Sequence, residues 1–204
     1  MDEYKSTAKF YDALLFVFVR TIRNKVIDII RQHRYNSILD VCCGTGDQLK
    51  LLKKQNIDGE GIDISNDMLK VAKSGYIKAN CRYQDAADTD YRDEYFDLVM
   101  TAFALHEKNH TTARSIVEEM VRISSKDILI VDYELNEKTS IVSKWLIYAI
   151  ERLAGGEHYS NFRSYILTGG LERLLLNIEL IEIEKYYFGN GGIVLLLLRK
   201  NIRS

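Results

Sequence analysis

The chain has 204 residues, 47% of them hydrophobic, and a formal charge of −1 at neutral pH; this suffices for one domain with a sizeable core, and its dispersed, balanced charges argue against nucleic acid as a partner. No run of about 18 uninterrupted apolar residues occurs, and the polar, acidic start MDEYKSTAKFYD is unlike a signal peptide, so neither a membrane span nor export is expected. The three cysteines, two of them adjacent, fit a reducing compartment better than a disulfide framework, and the expected location is cytoplasmic.

Phe10, Leu14, Val17, Phe18, Ile22, Val26 and Ile29 recur at helical spacing and predict a helical region over about 7–33. After Arg34 the pattern changes to a short β-branched run, 38–42, then a glycine turn, then a helix over 48–55 with leucines on one side and lysines on the other. The alternation continues: strand 59–64, helix 66–74, strand 77–84, a polar stretch 85–94, strand 96–101, helix 111–123 and strand 127–132. Strands that alternate with helices predict parallel βαβ units with helices on both faces. The last third departs from this with a helix over 139–154, a loop GGEHYSN, a helix over 164–176, and two strands, 178–187 and 192–199, about the turn FGNGG. The expected fold is α/β, a doubly wound Rossmann-like sheet of seven mostly parallel strands that ends in an antiparallel C-terminal hairpin. A single domain over 1–204 is expected, with 1–34 as a helical cap and 136–176 as a helical insertion. Proline is absent, so turns fall to Gly, Asn and Asp.

In a parallel sheet, ligands lie against the carboxyl ends of the strands, where a glycine turn lets backbone approach them closely. Gly44, Thr45 and Gly46 sit at such an end, and Asp63 ends the next strand about 20 residues on, where an acid can accept both hydroxyls of a ribose. The third glycine of G-x-G-x-x-G is missing, and Asp40 and Asp47 place negative charge around the turn, which suits a cationic ligand better than a pyrophosphate. Adjacent cysteines at a strand end point to opposite faces, so Cys42 and Cys43 do not make a zinc site and no metal is expected; Cys81 reads as core.

The segments LDVCCGTGDQL, GEGIDISNDMLKVAK, YQDAAD and EYFDLVMTAFALHE together resemble the class I S-adenosylmethionine-dependent methyltransferases over roughly residues 36–135, nearest the small-molecule branch typified by the ubiquinone/menaquinone biosynthesis C-methyltransferases. That resemblance implies S-adenosylmethionine as cofactor. It implies that the stretch Asp40–Gly46, with Cys42, Gly44 and Thr45, faces the methionine part, that Asp63 binds the ribose, and that Ile64 and Met68 line the adenine. Asp85, with Ala86 beside it, would meet the adenine amino group, and residues after the fourth strand, Thr101 and Ala102 among them, would close over the cofactor. Tyr4 and Tyr11 of the N-terminal helix would lie near the ligand.

Acceptor groups are expected from loops at the same sheet edge: His106 and Glu107 after the fourth strand, Tyr133 and Glu134 after the fifth, and Glu157, His158 and Tyr159 in GGEHYSN. His106 is the first choice for a base or orienting group, with His158, Tyr159 and Glu134 beside it as catalytic candidates. The basic edge Arg20, Arg23, Lys25 beside Leu14–Val19, and the apolar Trp145, Leu146 and Ile147, lean toward a hydrophobic small-molecule acceptor, a quinone precursor or lipid, and toward peripheral membrane contact. The rival readings are a protein or nucleic-acid methyltransferase, a cofactor-binding interaction protein without catalysis, and a nicotinamide-dependent oxidoreductase.

Overall fold

The computed structural model describes residues 19–201, so Tyr4 and Tyr11 lie outside the described residues. The chain divides between Tyr35 and Asn36 into two compact units. Of the first unit, the described part is the helix α1 over residues 19–33. Its end is a Schellman turn: Arg34 takes φ of 54°, Arg34 N–H donates to Arg31 O and Tyr35 N–H to Ile30 O, and the His33 and Tyr35 rings stack at 5.6 Å.

The second unit holds a seven-stranded sheet. Its elements in chain order are β1 (Ile38–Val41), α2 (Asp47–Lys54), β2 (Glu60–Asp63), α3 (Asn66–Ala72), β3 (Cys81–Tyr83), β4 (Phe96–Ala102), α4 (His110–Ile123), β5 (Ser124–Tyr133), α5 (Ile141–Ala154), α6 (Gly156–Leu167), α7 (Gly170–Leu175), β6 (Leu180–Phe188) and β7 (Ile193–Lys200). The spatial order is β3-β2-β1-β4-β5-β7-β6, with parallel pairing from β3 through β5 and antiparallel pairing of β7 to both β5 and β6. The expected architecture is therefore the observed one.

Both faces of the central strands are covered, which is why β1 and the run Ile193–Leu198 of β7 are buried at every position instead of alternating. β3 and β6 are the two edges, and β6 carries Glu182, Glu184 and Lys185, charges that discourage further strand pairing. α4 buries Ala113, Ile116, Val117, Met120 and Ile123, a stripe at three- and four-residue spacing, and Asn109 caps it by accepting from Thr112 N–H. Ser65 and Ser140 cap α3 and α5 in the same way.

Several boundaries differ from the sequence expectation: β5 begins three residues early, at Ser124, the single helix expected over 164–176 is split at Gly169, φ 106°, into the end of α6 and α7, and three further differences have a local reason. β3 is short because Ala79 N–H bonds the carbonyl of Ala72 at the end of α3, which keeps residues 77–79 out of the ladder. α5 starts late because the Thr139 hydroxyl donates to Gly191 O in the hairpin turn, leaving Ser140 as the cap. The expected loop GGEHYSN is instead the first half of α6: only Gly155, at φ 119°, breaks the helical path, and α6 then buries Phe162 and Tyr165.

Candidate active site

The carboxyl ends of β1, β2 and β4 meet in consecutive positions of the sheet, and those of β1 and β4 open on an unusual backbone. Cys42 takes φ of 57°, Gly44 53°, Gly46 67° and Phe103, just after β4, 55°. A left-handed residue other than glycine costs roughly 1–2 kcal/mol, so Cys42 and Phe103 mark the strand ends as strained. The turn is held by Cys43 N–H to Ile62 O at 3.0 Å and Gly46 N–H to Cys43 O at 2.9 Å.

Its two glycines do different work. A Cβ on Gly46 would lie 2.7 Å from the Ala79 Cβ and 3.1 Å from that of Ala72, so this glycine lets the turn pack on α3. A Cβ on Gly44 would meet nothing within 4 Å, so here bare backbone faces open space. Gly61 of β2 completes the packing, since a Cβ there would lie 2.6 Å from Leu49 and 2.8 Å from Cys43 Sγ.

Asp63 ties the two strand ends together: its Oδ2 accepts from Gly44 N–H at 2.8 Å and its Oδ1 from Ser65 N–H at 2.7 Å. A carboxylate so held keeps a free lone pair on each oxygen, the pattern a vicinal diol needs. Ile64 and Met68 are exposed beside it, at 55% and 46%, unusual for large apolar side chains and fitting a planar ring laid over them. Asp85 is exposed in the next loop, its Oδ1 accepting from Ala87 N–H, while Ala86 is buried. Asp40 is buried under the turn and Thr45 half-buried in it. Burial pushes the Cys42 thiol up to about 12 and raises that of Cys43 as well, so both stay protonated and act as small packing groups. Thr101 is fully buried and donates to Val41 O at 3.0 Å, which bonds β4 to β1; Ala102, next to it, is exposed. The residues present thus fit a ligand with a diol, an apolar ring and a positive charge.

The acceptor-side candidates divide. His106 is buried, with Nδ1 2.6 Å from Asp132 Oδ1 and Nε2 3.5 Å from Glu151 Oε2. Asp132 is fixed by backbone N–H groups of Leu105, His106 and Tyr133, and Glu151 by the Tyr133 hydroxyl at 2.9 Å and His158 Nε2 at 2.6 Å. Burial opposes charge on His106, but Asp132 and Glu151 outweigh it and raise the imidazole to about 10. Burial and Glu151 raise the Tyr133 phenol, which therefore donates. With a carboxylate at each ring nitrogen, His106 has no lone pair to offer as a base, and the geometry makes it an orienting group.

His158 is half-buried and joins this cluster, while Tyr159 stacks on Phe162 at 6.3 Å. Glu134 does not join it: it accepts from the Tyr187 hydroxyl and Asn136 Nδ2 and pairs with Lys185, facing the β6 hairpin. Asp132 and Glu151 escaped the sequence reading. Their signal was an acid within an otherwise apolar strand, ILIVDY, and one within an apolar helix, IYAIERL.

A family model described as a methyltransferase domain matches residues 38–127, from β1 through β4 and α4 to the start of β5. The demethylmenaquinone methyltransferase of Thermotoga maritima is 25% identical over 171 residues, covering 80% of this chain and 74% of that protein. That of Bacillus velezensis is 29% identical over 128 residues, covering 59% of this chain and 54% of that protein, so here the chain spans about half the length of the relative. In three dimensions the chain is similar to a magnesium protoporphyrin IX methyltransferase from Synechocystis PCC 6803 solved with bound SAH, with TM-score 0.65, 13% identity, and coverage of 91% of this chain and 84% of that one. At that identity the likeness is one of fold.

Proposed function

We propose that this chain, which belongs to the class I S-adenosylmethionine-dependent methyltransferases, methylates a small hydrophobic acceptor of phenol or hydroquinone type. The cofactor supplies an activated methyl group on a sulfonium. What the chain supplies is position. The observation that carries the reading is the pairing of Gly44 and Asp63: bare left-handed backbone at the end of β1 and a carboxylate at the end of β2 bonded directly to it. Ile64 and Met68 would take the adenine face and Asp85 its amino edge.

The acceptor side follows from chemistry. Methyl transfer needs an acceptor atom held in line with water excluded, and a ring acceptor needs an aromatic, mostly dry wall. His106 lies 4.7 Å from the Tyr133 ring and 6.1 Å from that of Phe162, with Tyr165 behind, and Asp132 fixes its orientation. This wall, the exposed Ile141, Val142 and Trp145 of α5, and the names of the two relatives support an apolar ring over a peptide or nucleic acid. Among the described residues no helix is long and apolar enough to cross a membrane, so contact with a lipid-borne acceptor would be peripheral. His106, His158 and Tyr159 orient the acceptor in this reading.

The test is calorimetric titration with S-adenosylhomocysteine, NAD as control, followed by a methylation assay over phenols and hydroquinones of increasing chain length. Micromolar binding of the homocysteine ligand, none of NAD, and turnover rising with chain length is the expected result. Binding without turnover on any ring acceptor would overturn the acceptor class, and binding of NAD alone would overturn the cofactor.

A further inference from the structure

His158 stands where three elements meet. It belongs to α6, its Nε2 lies 2.6 Å from Glu151 Oε2 of α5, and its Nδ1 lies 3.8 Å from Glu107 Oε2 of the β4–α4 loop. We infer that His158 is the base that takes the hydroxyl proton of the acceptor through Nδ1, with Glu151 as the residue that positions it, a role that rests on the methyl-transfer reading and deepens it.

The tautomer is fixed by Glu151. Burial would raise the Glu151 carboxyl, but His106, Tyr133 and His158 outweigh it and hold it below the ordinary carboxylate range, so it is ionised and can only accept. The proton of a neutral His158 imidazole therefore sits on Nε2 and the lone pair on Nδ1. Nδ1 has no hydrogen-bond partner among the described residues, since Glu107 at 3.8 Å is out of reach.

That nitrogen is also open. The other rings of the cluster, His106, Tyr133 and Phe162, are buried, whereas the His158 side chain is 26% exposed. It lines a surface cavity of about 300 Å³ with Glu107, Asn109, Thr112 and Asn161, a polar lining that suits the hydroxyl end of an acceptor rather than its ring. The same loop reaches toward the glycine turn: after burial, Lys108 is the charge that bears most on the Cys42 thiol, and Glu107 bears on it as well. The surrounding charge favours the cation that forms when the proton arrives. Glu151 and Glu107 flank the ring, while Lys108, 3.7 Å from Glu107, and the His106 cation oppose them, with Glu157 at the cavity rim. His106, held as a cation between Asp132 and Glu151, cannot take this part.

In the step itself the hydroxyl O–H breaks and its proton bonds to Nδ1. The electron pair left on the acceptor forms the bond to the incoming methyl carbon, and the pair of the broken carbon–sulfur bond stays on sulfur. The positive charge lost there reappears on the imidazolium, and His158 then releases the proton to water through the cavity.

The experiment uses the full chain with isotopically labelled histidine, and beside it His158→Gln, whose amide can still donate to Glu151 but takes no proton. Nitrogen NMR of the ligand-free chain in mildly alkaline solution should show His158 protonated at Nε2 alone and His106 at both nitrogens. Glu151→Gln should turn His158 into a mixture of tautomers, which a packing role alone would not do. Two acceptors of one shape then separate base from structure: para-octylphenol, whose hydroxyl must lose its proton, and para-octylthiophenol, already ionised at neutral pH. His158→Gln should lose roughly a hundredfold or more in kcat/KM on the phenol and stay within about threefold of wild type on the thiol, with S-adenosylhomocysteine affinity unchanged. A His158 protonated at Nδ1 or at both nitrogens, an unaltered tautomer in Glu151→Gln, or equal losses on the two acceptors would overturn the assignment and leave methyl transfer standing. A wild-type chain that methylates neither probe would overturn the acceptor reading, and this role with it.

Discussion

Both carboxylate oxygens of Asp63 accept a backbone N–H, one from the glycine turn and one from its own strand end. A residue used this way shapes the turn before any ligand arrives, and Asp63→Asn tests the two roles together. The amide places an NH2 where an acceptor is needed, against Gly44 N–H or Ser65 N–H. Affinity for S-adenosylhomocysteine should fall by about 1–3 kcal/mol, roughly 5- to 150-fold, while a thermal melt still shows a folded protein. Unchanged affinity by calorimetry would remove the ribose assignment. The two glycines separate the same question from stability. Gly46→Ala would push its methyl into Ala79 as well as strain its left-handed backbone and should lower the melting temperature most, whereas Gly44→Ala, with nothing within 4 Å, should cost only the left-handed strain of about 1–2 kcal/mol and lose cofactor binding. If Gly44→Ala bound the cofactor like the wild type, the bare backbone would not face it.

At the scale of elements, the loop that carries Asp85 and Ala86 is pinned from the other side. Glu119 of α4 accepts from Thr89 N–H at 2.9 Å and from the Thr89 hydroxyl, and Arg122 clasps Glu119 through both Nε and a terminal nitrogen while reaching Asp93. Burial alone would raise the Glu119 carboxyl, but Arg122 and Thr89 outweigh it and hold it below the ordinary carboxylate range. The sign follows from that direction: the stability this clasp contributes is present above the ordinary carboxylate pKa and is lost as pH falls through the lowered one. Glu119→Gln should therefore melt earlier than wild type at neutral pH, bind the cofactor more weakly, and close the gap in melting temperature as pH falls below about 4. A gap that persists in acid would mean that packing, not the carboxylate, holds the loop. Neither Glu119 nor Thr89 stood out in the sequence, because their partners lie 30 residues apart and obey no helical or strand period. The cofactor edge was legible for the opposite reason: Gly44, Gly46, Asp63 and Asp85 each lie at or just after the end of a strand, and strand ends are what local pattern marks best. The cluster of His106, Asp132, Glu151 and His158 was legible only in part. Its members come from β5, α5, α6 and the loop after β4, and GGEHYSN read as a loop because two glycines outweigh a short amphipathic pattern whose buried positions are Phe162 and Tyr165.

The sheet as a whole is two topologies joined at one seam. From β3 to β5 it is parallel, and all of that part up to the start of β5 lies in the stretch that the methyltransferase family model covers, while β7 and β6 come from the end of the chain and run antiparallel. Six consecutive buried positions of β7, Ile193–Leu198, make that seam almost wholly apolar, so its hydrophobic pattern alone fixes the register only weakly. The polar element that sets it is Arg199, whose Nε and Nη2 bond the two oxygens of Asp127 at 2.7 and 2.9 Å across directly paired residues. Asp127 is 1% exposed, whereas Arg199 is half open to solvent, so this pair is stronger than a surface bridge and weaker than a wholly buried one. Arg199→Met leaves the aspartate buried without its guanidinium and should cost about 2 kcal/mol, a drop of roughly 4–8 °C in melting temperature for a chain of this size. Arg199→Met combined with Asp127→Leu removes the stranded charge and should recover most of that stability, though with the register then left to β6 and the apolar contacts. A double variant as unstable as the single one would show that the pair contributes through its geometry rather than by compensating a buried charge. Because β5 carries Asp132 and Tyr133 at its far end, a slip at this seam would also displace the shell around His106. The single variant should accordingly lose turnover at temperatures well below its melting point, while its affinity for S-adenosylhomocysteine, set at β1 and β2, stays close to that of the wild type.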